Sequence, residues 1–358
     1  MQRKVNANGE RMGYTVVPRY NTAEINKAGR MLNSTTPMAP EDQEWMYNVI
    51  DNWRISHWTP LVNFRIKLEG KAKKIDPTCL ISQRIKRLSS IKFKLGRFPT
   101  MTLFQMQDLG GCRAVMKDIK DVYKLYSAYK NSKTQSTLLR ERNYIEYPKP
   151  SGYRSVHLIY QYKSDKKTEY NGQIIEIQLR TRLQHIWATS VETVDTILKQ
   201  SLKASRGSAE WQRFFILMGS VFALKENCSI VPGTPATKSE LINELRELSV
   251  RLRVRERLLM YSTIAEHANR GGIAKNAYYL LELHPEKHVI SISGFHRKAL
   301  EKATNKYLEV EKKLKSSEEA VLVSVEKFTQ LRHAYPNYFL DTKEFIIKLD
   351  DIIKNGLA

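Results

Sequence analysis

Between residues 79 and 230, short apolar runs of strand composition, "GCRAVM", "SVHLIYQY" and "IIEIQLRT", alternate with helical runs such as "DVYKLYSAYK" and "LQHIWATSVETVDTILKQSL". A chain that keeps switching between period two and period 3.6 is committed to a mixed sheet flanked by helices, here one α/β domain. Ahead of it, "PEDQEWMYNVIDNWRISHW" predicts a helix, with Trp45, Val49 and Trp53 four residues apart and acidic residues in the first turn. Residues 1–78 are therefore expected to form a helical region. Behind the alternating segment, "NCSIVPGTPATKS" at 227–239 has the composition of a linker and ends the domain at 230. Leu241, Leu245, Leu248, Leu252 and Leu259 then mark one stripe of a connecting helix within 231–274. In 275–358, "YYLLELHPEKHVISIS" and "AVLVSV" predict three strands, with a helix through Leu300, Ala303, Tyr307, Val310 and Leu314. The fold class expected is α+β, with a small C-terminal α/β domain.

Charge says what such a domain would meet. The 358-residue chain carries a net charge of +22, and +18 of it falls within residues 1–230. An excess concentrated in one module points to a polyanion, a phosphate-bearing ligand or a nucleic acid. The longest nearly apolar run, "FFILMGSVFAL" at 214–224, is too short for a membrane span, and no membrane partner is expected. Cys79, Cys112 and Cys228 lie far apart without metal-ligand spacing, so a reducing cytoplasm and no zinc site are expected.

Four stretches carry the candidate chemistry. In "QRIKRLSSIKFKL", Arg84, Lys86, Ser90 and Lys94 recur at spacings that let a loop and a helical turn converge on one polyphosphate, although a basic helix face has the same look. In "QDLGGCRAVM", Asp108 stands before a glycine pair and a strand, where a carboxylate either binds Mg²⁺ beside a nucleotide or starts a turn. In "IIEIQLRT", Glu176, Gln178 and Arg180 share one strand face while Ile175, Ile177 and Leu179 share the other, which suits a cleft or an exposed sheet. In "YPKPSGYRSVHLIYQ", a turn leads into a strand that places Tyr153, Ser155 and His157 on one face, a set able to stack a base and touch its phosphates or to serve structure alone.

These stretches, in this order over residues 80–195, resemble the synthetase domain of the RelA/SpoT family. The resemblance implies a nucleotidyltransferase-like fold and transfer of the β,γ-pyrophosphate of ATP to a ribose 3′-hydroxyl, with Mg²⁺ as cofactor. It implies that Arg84 and Arg113 sandwich adenine, that Lys86, Ser90 and Lys94 hold phosphates, and that Asp108 and Glu176 hold the metal. Glu176 would also serve as base, Tyr153 would stack on the acceptor base, and Lys149, His157 and Gln178 would surround the acceptor. Such a reaction needs in-line positioning and cations on developing charge, which these residue types supply. His185 in "RTRLQHIW" and Ser151 in "PKPSG" depart from the family pattern and leave the acceptor base open. No His-Asp hydrolase motif is visible.

The tail adds Tyr335 and Tyr338 in "RHAYPNYFLD", which spacing alone reads as core rings at a helix end stopped by Pro336. Together with the small unit before them they are similar to the CapRel group, fused toxin and antitoxin proteins with a C-terminal pseudo-zinc-finger domain. That resemblance implies a toxin that pyrophosphorylates the 3′ CCA end of tRNA, is restrained through Tyr335 and Tyr338, and is released by a phage protein. An alarmone synthetase and a non-catalytic RNA-binding module are the other readings.

Overall fold

A reciprocal pair of hydrogen bonds between Asn21 and Glu24 caps α1 (Thr22–Met31). The computed structural model describes residues 16–201, 208–261, 265–268, 276–287, 289–296, 298–315, 318–325, 328–339 and 342–356. Pro40 with Glu41 and Asp42 behind it starts α2 (Pro40–Ser56), and α3 (Trp58–Ile75) follows almost at once. The helix expected around Trp45, Val49 and Trp53 is thus present, and its apolar side packs with Ile25, Ile91 and Leu95.

The alternating segment gives β1 (Leu80–Ile85), α4 (Leu88–Arg97), β2 (Gly110–Met116), α5 (Ile119–Lys130), β3 (Thr137–Asn143), β4 (Val156–Gln161) and β5 (Ile174–Thr181). The strands are ordered β3-β4-β5-β2-β1, with β2 and β5 parallel and the other neighbours antiparallel. This is the mixed sheet the alternation predicts. Its inward residues Cys112, Ala114, Ile175, Ile177 and Leu179 bury against Phe64 and Leu68 of α3 and Val122 and Leu125 of α5. Each fully buried aliphatic contributes about 1.5–3 kcal/mol. The opposite parity, Arg113, Glu176 and Gln178, is left for the other face.

After α6 (Arg182–Ser201) and α7 (Ser208–Lys225), the segment expected to be a connecting helix holds α8 (Lys238–Arg251) and α9 (Val254–Tyr261). Leu241, Leu245, Leu248 and Leu252 do form a stripe, and it is buried against Phe214 and Met218 of α7. Leu259 falls outside it and is partly exposed. The C-terminal part then forms β6 (Ala265–Ala268), β7 (Asn276–His284), β8 (Val289–His296), α10 (Leu300–Lys313), β9 (Glu319–Ser324), α11 (Leu331–Ala334) and α12 (Lys343–Asn355).

The small C-terminal sheet does not stand apart. β9 pairs with β7 on one side and, through Gln83↔Ser324 and Arg84↔Val323, with β1 on the other. One sheet of nine strands therefore crosses the molecule, in the order β3-β4-β5-β2-β1-β9-β7-β8-β6. Beneath it a single core joins Phe64 and Ile177 to Leu280, Ala303 and Leu322. Above it, on the face that carries Arg84, the segment 328–339 covers β7 and β9 with Leu331, Tyr335, Tyr338 and Phe339.

A buried ionic knot ties α10 to the N-terminal helices. Glu311 accepts hydrogen bonds from Arg54 Nη1 and Nη2 (3.1 and 2.6 Å), from Leu88 N at the start of α4 (2.8 Å) and from Tyr307 OH (2.7 Å). Burial alone would raise the Glu311 carboxyl, but Arg54 and these donors hold it below the usual glutamate range. Beside the knot, Arg87 pairs with Glu319. Among the described residues, no helix is long and apolar enough to cross a membrane.

Candidate active site

The turn before β2 sets Asp108 beside two lysines. Gly110 lets this strand approach, since a Cβ there would stand 2.9 Å from Ile175 Cδ1 and 3.3 Å from His57 Cβ. Lys86, just past β1, donates to Asp108 Oδ2 at 2.9 Å, and Lys94 of α4 donates to Oδ1 at 2.9 Å. Burial would raise the Asp108 carboxyl, but the two ammonium charges bring it down to about 2. Arg84, Lys86, Asp108, Arg113, Glu176 and Gln178 line one pocket, and Tyr335 forms part of its wall. Ser90 lies on α4 one turn before Lys94 and is not part of that lining.

Arg113 donates through Nε to Gln178 Oε1 at 3.2 Å. Burial, with the Arg180 and Arg84 charges nearby, lowers its guanidinium to about 9. Three arginines thus crowd one site, and Glu192 of α6 is the carboxylate among them. Burial would raise Glu192, but Arg84, Arg113 and Arg180 hold it below its usual range.

On the acceptor side, β4 and β5 place His157 opposite Gln178 and Ile159 opposite Glu176. His157 Nδ1 lies 2.8 Å from Glu176 Oε1, and Gln178 Nε2 donates to Glu176 Oε2 at 2.7 Å. A carboxylate accepts only, so Nδ1 carries the proton. Nε2 and Tyr153 OH share a hydrogen bond of 2.7 Å, and that oxygen accepts from Arg180 Nη2, also at 2.7 Å; burial would lower the imidazole, but Tyr153 and Glu176 raise it above its ordinary value, toward the cation. Arg180 further donates to Gln178 Oε1 at 3.0 Å. The result is one chain of hydrogen bonds from Arg180 through Tyr153 and His157 to Glu176. Burial raises Tyr153, yet Arg180 and His157 draw its hydroxyl down to about 8. Burial likewise raises Glu176, and the His157 charge with its hydrogen bond holds it below the usual range.

The turn that presents Tyr153 is closed by Gly152 N donating to Lys149 O at 2.8 Å, with Gly152 at φ +90°, a conformation that favours glycine. The Lys149 ammonium stands 4.5 Å from the Tyr144 ring and 5.1 Å from the Tyr153 ring. One expectation fails here. Ser155 does not share a face with Tyr153 and His157; it is buried and donates to Leu179 O at 3.0 Å. The reason is that β4 begins only at Val156, so period-two alternation does not extend back to Tyr153.

The C-terminal region reaches the same pocket. Tyr335 is buried and donates to Gln83 O at 2.8 Å; burial pushes its hydroxyl up to about 12 against the pull of Arg113 and Arg84. Tyr338 is buried within 5.6 Å of the Arg87 guanidinium, and its hydroxyl has no hydrogen-bond partner among the described residues. His185 donates to His333 O at 2.9 Å and stays neutral, because burial and then Arg113 and Arg180 depress its imidazole.

The site therefore brings together Arg84, Lys86, Lys94, Asp108, Arg113, Glu176, Gln178, His157 and Tyr153. Sequence reading missed two contributors. Arg180 was visible only as the third member of the β5 triplet, and Glu192 follows His185 by seven residues, two turns along one helix face. Asp108 and Glu176 fit Mg²⁺ by chemistry, being ionised hard-oxygen donors at one pocket. The two lysine ammoniums engage both Asp108 oxygens.

Residues 83–197 match the region found in RelA / SpoT proteins. The GTP pyrophosphokinase YjbM of Bacillus subtilis (strain 168) is 26% identical over 157 residues, 42% of this chain and 72% of that protein. The GTP pyrophosphokinase YwaC of the same organism is 32% identical over 111 residues, 30% of this chain, and the chain spans only 52% of its length. Among solved structures, a GTP pyrophosphokinase family protein from Streptococcus pneumoniae aligns at a TM-score of 0.41 with 24% identity, covering 53% of this chain and 91% of that one. The small alarmone synthetase 1 of Bacillus subtilis bound to pppGpp aligns at 0.41 with 22% identity, covering 52% and 94%. Residues 83–197, which hold Arg84, Lys86, Asp108, Arg113, Glu176 and Gln178, thus match the region found in RelA / SpoT proteins, and this match supports pyrophosphokinase activity.

Proposed function

We propose that the chain is an ATP-dependent pyrophosphokinase toxin that modifies the 3′ CCA end of tRNA and is held off by its own C-terminal region. The observation that carries this reading is a single pocket in which Asp108, Glu176, Arg84 and Arg113 meet Tyr335 of that region. In the reaction, Arg84 and Arg113 hold adenine, Lys86 and Lys94 neutralise the phosphates, and Ser90, one turn before Lys94, offers them a hydroxyl hydrogen bond. The acceptor 3′-oxygen bonds to the β-phosphorus, the bond from β-phosphorus to the bridging oxygen breaks, and AMP leaves with that electron pair. Glu176 takes the hydroxyl proton; its hydrogen bonds from His157 and Gln178 orient the carboxylate. Tyr153 stacks on the acceptor base, with Lys149, His157 and Gln178 around it. Asp108 and Glu176 would hold Mg²⁺, which supplies charge on the transferred phosphates.

The tRNA acceptor is supported by the +18 on residues 1–230, more than a free nucleotide needs. Restraint is supported by Tyr335 in the pocket wall and Tyr338 beside Arg87. A phage protein acting on the C-terminal region, in an antiviral role, is the trigger this reading expects. A second reading, alarmone synthesis, is favoured by the names of both curated relatives, each a GTP pyrophosphokinase.

γ-Labelled ATP supplied with tRNA, or with GDP, AMP, ADP or ATP as acceptor, separates the readings. Label in tRNA that is lost in Glu176→Gln is the expected result; label confined to a free nucleotide would sink the tRNA acceptor. For restraint, Tyr338→Ala is expected to raise transfer at least tenfold and to make expression toxic. Unchanged transfer by the folded variant would remove the autoinhibition.

A further inference from the structure

Between Asp76 and Asp108 the chain runs 31 residues without an Asp or Glu while holding six Lys and Arg. The pocket and the C-terminal region account for most of these cations: Arg84 and Lys86 line the pocket, Lys94 reaches Asp108, and Arg87 pairs with Glu319. Lys92 and Arg97 remain, both exposed on α4 and without an ion pair among the described residues. Two large rings share that surface with them, Phe93 at 66% exposure and Phe98 at 46%. Phe93 and Arg97 are four residues apart on the helix, hence neighbours, and the Arg97 guanidinium lies 5.6 Å from the Phe98 ring. Phe104, also partly exposed, is explained by packing, since it stacks on Trp53 at 5.3 Å.

A lone surface phenylalanine needs no explanation. Two that flank a guanidinium, one of them next to Lys94, which bonds the pocket carboxylate Asp108, call for a ligand with flat faces and negative charge. Polynucleotide strands offer both, a π-face on every base and a phosphate between them. We propose that Phe93, Arg97 and Phe98, with Lys92, form a docking platform for the single-stranded end of an RNA whose terminal nucleotide enters the pocket. The inference rests on the RNA acceptor proposed above and assigns the surface that holds the strand behind the reacting residue. Phosphates lie against Lys92 and Arg97, and bases stack on the two rings.

The test is fluorescence anisotropy of the full chain with a labelled single-stranded RNA ending in CCA, across a salt series, in parallel with binding of a non-hydrolysable ATP analogue. Phe93→Ala/Phe98→Ala is expected to weaken RNA binding at least about thirtyfold, about 1 kcal/mol or more for each stacked base. Arg97→Gln is expected to flatten the plot of log affinity against log salt by about 0.7. Affinity for the ATP analogue is expected to stay within twofold in both variants. RNA affinity within twofold of wild type in both variants would overturn the platform, as would an equal loss of ATP-analogue binding. So would loss of binding to anionic phospholipid vesicles with RNA binding intact, which would assign the rings to a membrane surface. RNA that is held through these rings but takes no label from ATP would remove the acceptor proposed above and leave the platform standing.

Discussion

The C-terminal region grips the rest of the chain at two places, and the two grips are built from opposite chemistry. At α10, Glu311 is saturated, with four hydrogen bonds from Arg54, Leu88 and Tyr307. At 335–339 the contact is aromatic and poorly satisfied, with one side-chain hydrogen bond, from Tyr335, and a buried Tyr338 hydroxyl without a partner among the described residues. A buried ion pair is costly to break, because removing one partner strands the other charge. A buried hydroxyl without a partner already costs about 1–3 kcal/mol in place. The first grip is suited to remain and the second to let go. Since Glu311 also caps α4, the permanent anchor is fixed to the helix that carries Lys94.

The largest effect is expected where the anchor is broken. Glu311→Ala should lower the unfolding free energy by about 3 kcal/mol in urea titrations, the low end for a broken buried pair because Arg54 keeps Asp51 as a partner at 2.8 Å. A loss under about 1 kcal/mol for the single variant would equalise the two grips. Because the Glu311 carboxyl lies below its ordinary value, its contribution is complete above that ordinary value and fades only as pH falls through the lower folded one. A smaller effect of opposite sign tests the other grip: Tyr338→Phe should gain about 1 kcal/mol by removing the unpartnered hydroxyl, and a loss of that size would reveal a partner. The smallest effect falls on the acceptor side. The His157 charge holds Glu176 low, so His157→Gln should move the acid limb of the kcat/KM profile to higher pH. A limb that moves down or not at all would mean that Glu176 is not the base.

Much of this was legible in the chain. Period-two alternation at Ile175, Ile177 and Leu179 identified the buried face of β5 and, by exclusion, the face that carries Glu176 and Gln178. Turn chemistry located the loop that presents Tyr153. What spacing could not show is contact over long separations. Arg54 meets Glu311, and Arg84 pairs with Val323, across more than two hundred residues, and no local pattern encodes such a meeting. The same reason hid the continuity of the sheet. The Arg180–Tyr153–His157–Glu176 chain was half visible, because its members were read face by face and only folding brings the two strands into register.

The seam between β1 and β9, two residue pairs long, has a consequence for any state in which the tail departs. β1 would then end the remaining five-stranded sheet, and its N–H and C=O groups would face solvent as a template for pairing with another chain. Arg84 lies on that strand, and Lys86 and Arg87 follow it directly. The cations that suit this margin to phosphate would repel a second copy of the chain, so an opened molecule would carry its own protection against self-association.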